Sequence, residues 1–206
     1  SLTGHQNGPA PDDATGLEVD KLNAGHVATY MDTYLGMLIE AAGRENAGAQ
    51  GLQYLLNDSY EAGFQNWTDD MLEQFAKLRG YDPTPWLPTL TGVVVERAAA
   101  SDKFLFDWRR TINQLLVEAH YRVVTEKAHA AGMRTYQEAL EDRRAYFGDD
   151  MEMRQYADVP MAAMWSFAPD AGPRMTFQAD NRGAASVANI YGKPVVAAES
   201  FTGGSY

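Results

Sequence analysis

Apolar residues recur at Val27, Met31, Tyr34/Leu35 and Leu38/Ile39, a spacing that predicts a helix over 25–44, with Gly43 as its stop. Residues 52–56 form a compact apolar run that breaks into Asn57-Asp58-Ser59, which predicts a buried strand running into a loop. Met71, Leu72, Phe75 and Leu78 predict a second helix, capped by Thr68 or Asp69 and stopped by Gly80 and Pro83. Three prolines make 81–92 irregular. A long helix is expected from Ser101 or Asp102, with Leu105, Trp108, Ile112, Leu115/Leu116, Ala119 and Val123 on one face, ending by Gly132. Further strands are predicted at 133–137, 159–164 and 194–198, separated by the segment 150–156 and a helix over 182–191. Ahead of all these, a Gly/Pro/Asn/Asp-rich loop over 4–15 leads into a short extended segment at 17–19.

Strand and helix therefore alternate, the pattern of a parallel sheet covered by crossover helices. The strand slots fall near residues 17, 53, 134, 161 and 196. A closed (β/α)8 barrel needs eight strands and usually about 250 residues. The fold class expected is α/β, a partial (β/α)8 TIM-type barrel of about five strand units, with residues 1–206 as a single fragment of one domain.

Composition removes several functions. At 45% hydrophobic content the chain can build a core. Its 28 acidic against 17 basic residues, with no basic cluster, argue against nucleic acid as a partner. The absence of Cys excludes disulfides, thiolate nucleophiles and Cys-ligated zinc. No apolar run is long enough for a membrane helix, so no membrane partner is expected. Of the four His, His26, His120 and His129 fall on predicted helices, and His5 in the opening loop is a candidate pocket residue; they form no zinc motif. Phosphate-binding glycine motifs and a serine-hydrolase elbow are also lacking.

In parallel α/β architectures, working groups sit where strands exit at their C-terminal ends. That filter selects Glu18 and Asp20, Asp58 and Glu61, Glu138, and Glu199, so four of the five strand slots end in carboxylates. A pair of carboxyl groups is the usual minimum for glycoside hydrolysis, one protonating the leaving oxygen and one activating water or attacking the anomeric carbon. Several acids also have a plain structural reading: Glu199 ion-paired to a neighbour such as Arg182, Asp58 as a turn cap, Glu141-Asp142 and Asp149-Asp150 as solvated loop charges; Glu61 is less easily explained by capping. Asn66 and Trp67 suit a sugar-contacting amide and ring, although Trp67 equally suits packing on the next helix. Aromatic residues make up 11% of the chain, which suits sugar pockets as well as cores.

The strings 15–22, Asn57-Asp58-Ser59-Tyr60-Glu61-Ala62-Gly63 with Asn66-Trp67-Thr68, Arg79-Gly80-Tyr81-Asp82-Pro83 with 87–92, and 192–202 containing Ala198-Glu199-Ser200-Phe201-Thr202 resemble the α-L-rhamnosidases of glycoside hydrolase family 106. The resemblance runs in order from about Gly4 to the end. It implies a bacterial enzyme, periplasmic or secreted, that hydrolyses terminal α-L-rhamnosides with inversion, on a (β/α)8 domain within a longer polypeptide, with calcium in the active site. By resemblance, Glu61 is the general acid, Glu199 the general base, and Asp58 orients substrate or tunes Glu61. Glu18, Asp20, Asn66, Trp67, Glu138 and Trp165 are candidate substrate-binding residues, and the calcium ligands are unassigned. The chain departs from the family at Pro160-Met161-Ala162-Ala163-Met164-Trp165, where many members carry a Glu at the position of Ala163.

The partners expected are a rhamnose-containing glycoside and the rest of the parent polypeptide. Two alternatives stay open: a non-catalytic carbohydrate-binding fragment, and a retaining barrel glycosidase acting on another sugar. Inversion requires carboxyls about 6.5–9.5 Å apart and retention about 5 Å.

Overall fold

The computed structural model describes residues 6–8, 10–139, 148–168, 170–172 and 174–202. Four strands, β1 (Tyr54–Asn57), β2 (Arg134–Gln137), β3 (Val159–Met164) and β4 (Ala197–Ser200), pair in parallel in the order β1-β2-β3-β4, a curled sheet forming half a barrel. The strand slots near 53, 134, 161 and 196 are thus filled. The slot at 17–19 is not: among the described residues Leu17 makes only an isolated antiparallel bridge with Gln6. Too few apolar residues flank Leu17, itself well exposed, to anchor a strand there.

The helices are α1 (Ala24–Ala42), α2 (Met71–Arg79), α3 (Ala98–Leu116), α4 (Arg122–Ala130), α5 (Asp150–Arg154) and α6 (Met175–Ile190). None is long and apolar enough to cross a membrane. Asn23 caps α1, its side-chain oxygen accepting from the backbone N–H of Gly25 and His26. The cap expected of Thr68 or Asp69 is not made: α2 begins after Asp70, whose side chain caps no backbone N–H, and the Thr68 hydroxyl donates to Asp20 at 2.7 Å. The stretch 81–92 is more regular than its prolines suggest, with a 3-10 helix over Thr84–Thr91. Helix α6 begins seven residues ahead of the expected start at 182.

The single long helix expected up to Gly132 is α3 and α4 joined through a π-helical turn, Val117–Tyr121. An added residue in one turn rotates the following face by roughly 100°. This explains how one helical run serves two cores. Phe104, Trp108, Ile112 and Leu116 of α3 pack with Met71 and Phe75 of α2, while Val123, Val124 and Ala128 of α4 pack with Val27, Met31 and Leu35 of α1 and Leu55 of β1.

Side chains alternate across a strand. Leu55, Thr135 and Gln137 face the helices, so Leu56, Asp58, Tyr136, Glu138, Met161, Ala163, Ala197 and Glu199 share the other face, by the registers Leu56↔Tyr136, Met161↔Ala197 and Ala163↔Glu199.

Candidate active site

Asp58 directly follows β1, Glu138 directly follows β2 and Glu199 lies within β4, and parallel pairing brings the three to one end of the sheet. Each offers a carboxylate oxygen, and these oxygens lie within 4.8 Å of one another. Glu138 is 2% exposed, Glu199 partly buried and Asp58 exposed. The Glu138 N–H donates to the Asn57 carbonyl at 3.0 Å, and the Tyr60 N–H donates to the Ala139 carbonyl at 2.9 Å, so the chain leaving β1 is strapped to the chain leaving β2. Behind the acids, on the helix side, the Asn57 amide donates to Gln137 Oε1 at 3.0 Å and Gln137 Nε2 donates to Thr125 at 2.6 Å.

Three carboxylates this close repel by a few kcal/mol per pair at the effective dielectric of a protein. The arrangement favours a cation among them. Oxygens on opposite sides of a calcium ion stand at about twice 2.3–2.6 Å, so a 4.8 Å spread fits that donor set.

Glu61 is partly buried; its Oε1 accepts from the Ser59 hydroxyl at 3.2 Å. Beside β1 lies a cavity of about 500 Å³ lined by Asp58, Ser59, Glu61, Glu18, Lys21 and His120 among others. Asp58 belongs to both this cavity and the carboxylate triad. Glu18 lies on the cavity wall paired to Lys21 at 2.6 Å.

The other candidates are placed differently. Asp20 is 8% exposed and accepts from the Leu22 N–H at 2.9 Å and from Thr68, which makes it a joint between the opening loop and α2. Asn66 and Trp67 are exposed and line neither cavity nor triad; the Trp67 ring lies 5.8 Å from Trp108, the packing reading. Trp165 follows β3 with its ring 6.1 Å from Phe177, and its buried Nε1 has no hydrogen-bond partner among the described residues. Arg182 is exposed, and among the described residues no ion pair joins it to Glu199. Asp149 caps α5 through the N–H of Met151 and Glu152, and Asp150 pairs with Arg154, so this acid pair is structural. His5, Glu141 and Asp142 lie outside the described residues.

Sequence reasoning passed over Gln65, which is 4% exposed and both donates to the Val19 carbonyl and accepts from the Lys21 N–H, fixing Glu18 and Lys21 on the cavity wall. It also passed over His120 as a site residue. Burial, then the charge of Lys21, holds this imidazole well below the usual histidine pKa, and its Nδ1 has no partner among the described residues. The signal was a polar residue amid the apolar face of a helix.

The sequence profile of the alpha-L-rhamnosidase family matches residues 1–206. A putative beta-glucuronidase of Formosa agariphila is 33% identical over 203 residues, covering 98% of this chain and 16% of that protein. The solved structure of a rhamnosidase from Novosphingobium sp. PP1Y superposes with a TM-score of 0.91 at 54% identity, covering 96% of this chain and 19% of that one. The chain thus spans about a fifth or less of the length of these relatives.

Proposed function

The chain belongs to the alpha-L-rhamnosidase family, and from that membership we propose that it supplies the acid and base of an active site hydrolysing α-L-rhamnosides with inversion. The observation that carries this reading is the convergence of Asp58, Glu138 and Glu199 at one end of the parallel strands, with Glu61 three residues beyond Asp58. Glu61, protonated, donates its proton to the glycosidic oxygen as the bond to the anomeric carbon breaks. Glu199 removes a proton from a water that attacks the same carbon from the opposite face. The products are the free sugar with inverted configuration and the alcohol; Glu61 ends ionised and Glu199 protonated, and exchange with solvent resets both. The 4.8 Å spread of the triad supports Glu61 as the acid, because Asp58 and Glu138 stand too near Glu199 to leave room for a water in an inverting pair.

Asp58, Glu138 and Glu199 are the residues that would hold calcium. A bound calcium ion supplies positive charge and binds vicinal sugar hydroxyls together with carboxylates. A carboxylate has two oxygens, so Glu199 can serve an ion with one and a water with the other.

The same spread favours one second reading: Asp58 and Glu199 as the closely spaced pair of a retaining glycosidase. The similarity to a putative beta-glucuronidase widens the sugars worth testing. Proton NMR of the first-formed product from p-nitrophenyl α-L-rhamnoside, with the intact polypeptide, separates the readings. Initial release of the β-anomer supports inversion; initial release of the α-anomer establishes retention. Turnover of the β-glucuronide alone would replace the substrate.

A further inference from the structure

Pairing between β2 and β3 stops at Gln137↔Pro160, whereas β3 and β4 stay in register from Met161↔Ala197 to Met164↔Ser200. Backbone groups of a parallel strand point alternately to its two neighbours. The Met164 carbonyl accepts from the Phe201 N–H at 3.0 Å, so Ala162 and Met164 face β4. Met161 and Ala163 therefore turn their N–H and C=O groups to the side that β2 has left. Buried backbone groups without partners are costly, and Met161 and Ala163 are buried.

Three side chains stand in for the departed strand. Arg154 Nε donates to the Met161 carbonyl at 2.8 Å, Asp180 Oδ2 accepts from the Ala163 N–H at 2.8 Å, and Asn181 Nδ2 donates to the Ala163 carbonyl at 2.8 Å. Arg154 is 1% exposed and also donates to Asp150 at 2.6 Å and to the other oxygen of Asp180. The strand is thus held from α5 at Met161 and from α6 at Ala163, the residue whose register partner is Glu199.

We infer that Arg154, Asp180 and Asn181 are positioning residues for Glu199: by substituting for β2 along 161–163 they let the sheet part beside Glu138 while fixing β3, and through the β3/β4 ladder the height of the Glu199 carboxylate. This rests on Glu199 being the base of the proposed hydrolysis. None of the three reaches the reacting atoms.

Asn181 separates positioning from folding, because its Nδ2 also donates to Phe177 one helical turn back at 2.7 Å. Asn181→Ser keeps a donor for that helix carbonyl, as serine does in helices, but is too short for Ala163. Asn181→Asp keeps the shape and replaces the donor by an acceptor. In the intact polypeptide acting on p-nitrophenyl α-L-rhamnoside, both are expected to lower kcat about 10- to 100-fold with KM changed less than about threefold. The melting midpoint of Asn181→Ser should stay near wild type, so that the loss falls on kcat alone. A merely structural contact would lower the melting midpoint and leave kcat of the folded protein and its ratio to KM in place. Wild-type kcat in Asn181→Ser, alongside an inactive Glu199→Gln, would overturn the inference and leave the base assignment standing. An active Glu199→Gln would remove the reading beneath it. If Asn181→Asp fails to fold, Asn181→Ser alone decides.

Discussion

The side-chain amide of Asn57 donates to the side-chain oxygen of Gln137 at 3.0 Å, one residue before Asp58 on one strand and one before Glu138 on the next. The pair lies on the helix face of the sheet and the acids on the other. Gln137 is fully buried and also donates to Thr125 and Thr135, so its amide locks the β1/β2 register to α4. Gln137→Ala removes the acceptor of the Asn57 amide and the donor to Thr125 and Thr135, and leaves a cavity. A loss of about 2–4 kcal/mol is expected. Urea titration of the intact polypeptide, following the transition of this domain, checks it; an unchanged midpoint would contradict the register role.

His120 makes stability depend on pH. Burial holds its folded-state pKa well below 6.5, so below pH 6.5 the unfolded chain binds a proton that the folded chain does not. Stability is therefore complete above about pH 6.5 and declines as pH falls, by up to about 1.4 kcal/mol per unit from this residue. His120→Phe should remove that component. Denaturant midpoints between pH 7 and pH 5 for both proteins measure it, and parallel slopes would contradict the assignment.

The triad should bind a hard divalent cation. Calcium is expected to raise the melting midpoint of the intact polypeptide in a concentration-dependent way, and Glu138→Gln to weaken the effect by about tenfold or more. Thermal unfolding with a chelator and then with graded calcium reads this independently of turnover. No shift in wild type would dismiss the site.

β1 and β4 each pair on one side only among the described residues, and Tyr54, Leu56, Val195 and Val196 beside those edges are exposed. Exposed strand edges with apolar neighbours invite association. The 206-residue chain alone is expected to self-associate and to show weak or no hydrolysis. Sedimentation velocity with a rhamnoside assay checks both; a monodisperse, fully active chain would contradict the expectation.

Residues 159–164 were legible as a strand to the residue, because Val159 and the apolar residues after it form a continuous run, buried from Val159 to Ala163, that opens directly after Asp158. The acids at strand ends were legible too, since a carboxylate beside an apolar run stands out. What the sequence hid was longer in range. The joints from Asp20 to Thr68 and from Arg154 to Asp180 link residues 48 and 26 positions apart, and each member alone reads as an ordinary surface polar residue. The π turn was hidden because its five residues keep a helical apolar pattern. Leu17 shows the reverse error, a short apolar signal without neighbours to bury it.

The proposed assignment is Glu61 as acid and Glu199 as base. Its most direct test is kcat of the intact polypeptide on p-nitrophenyl α-L-rhamnoside for wild type, Glu61→Gln and Glu199→Gln. Each substitution removes a proton-transfer group while keeping its shape, so each is expected to lower kcat by about 10²- to 10⁴-fold with folding unchanged. Near-normal turnover in either variant would contradict the claim.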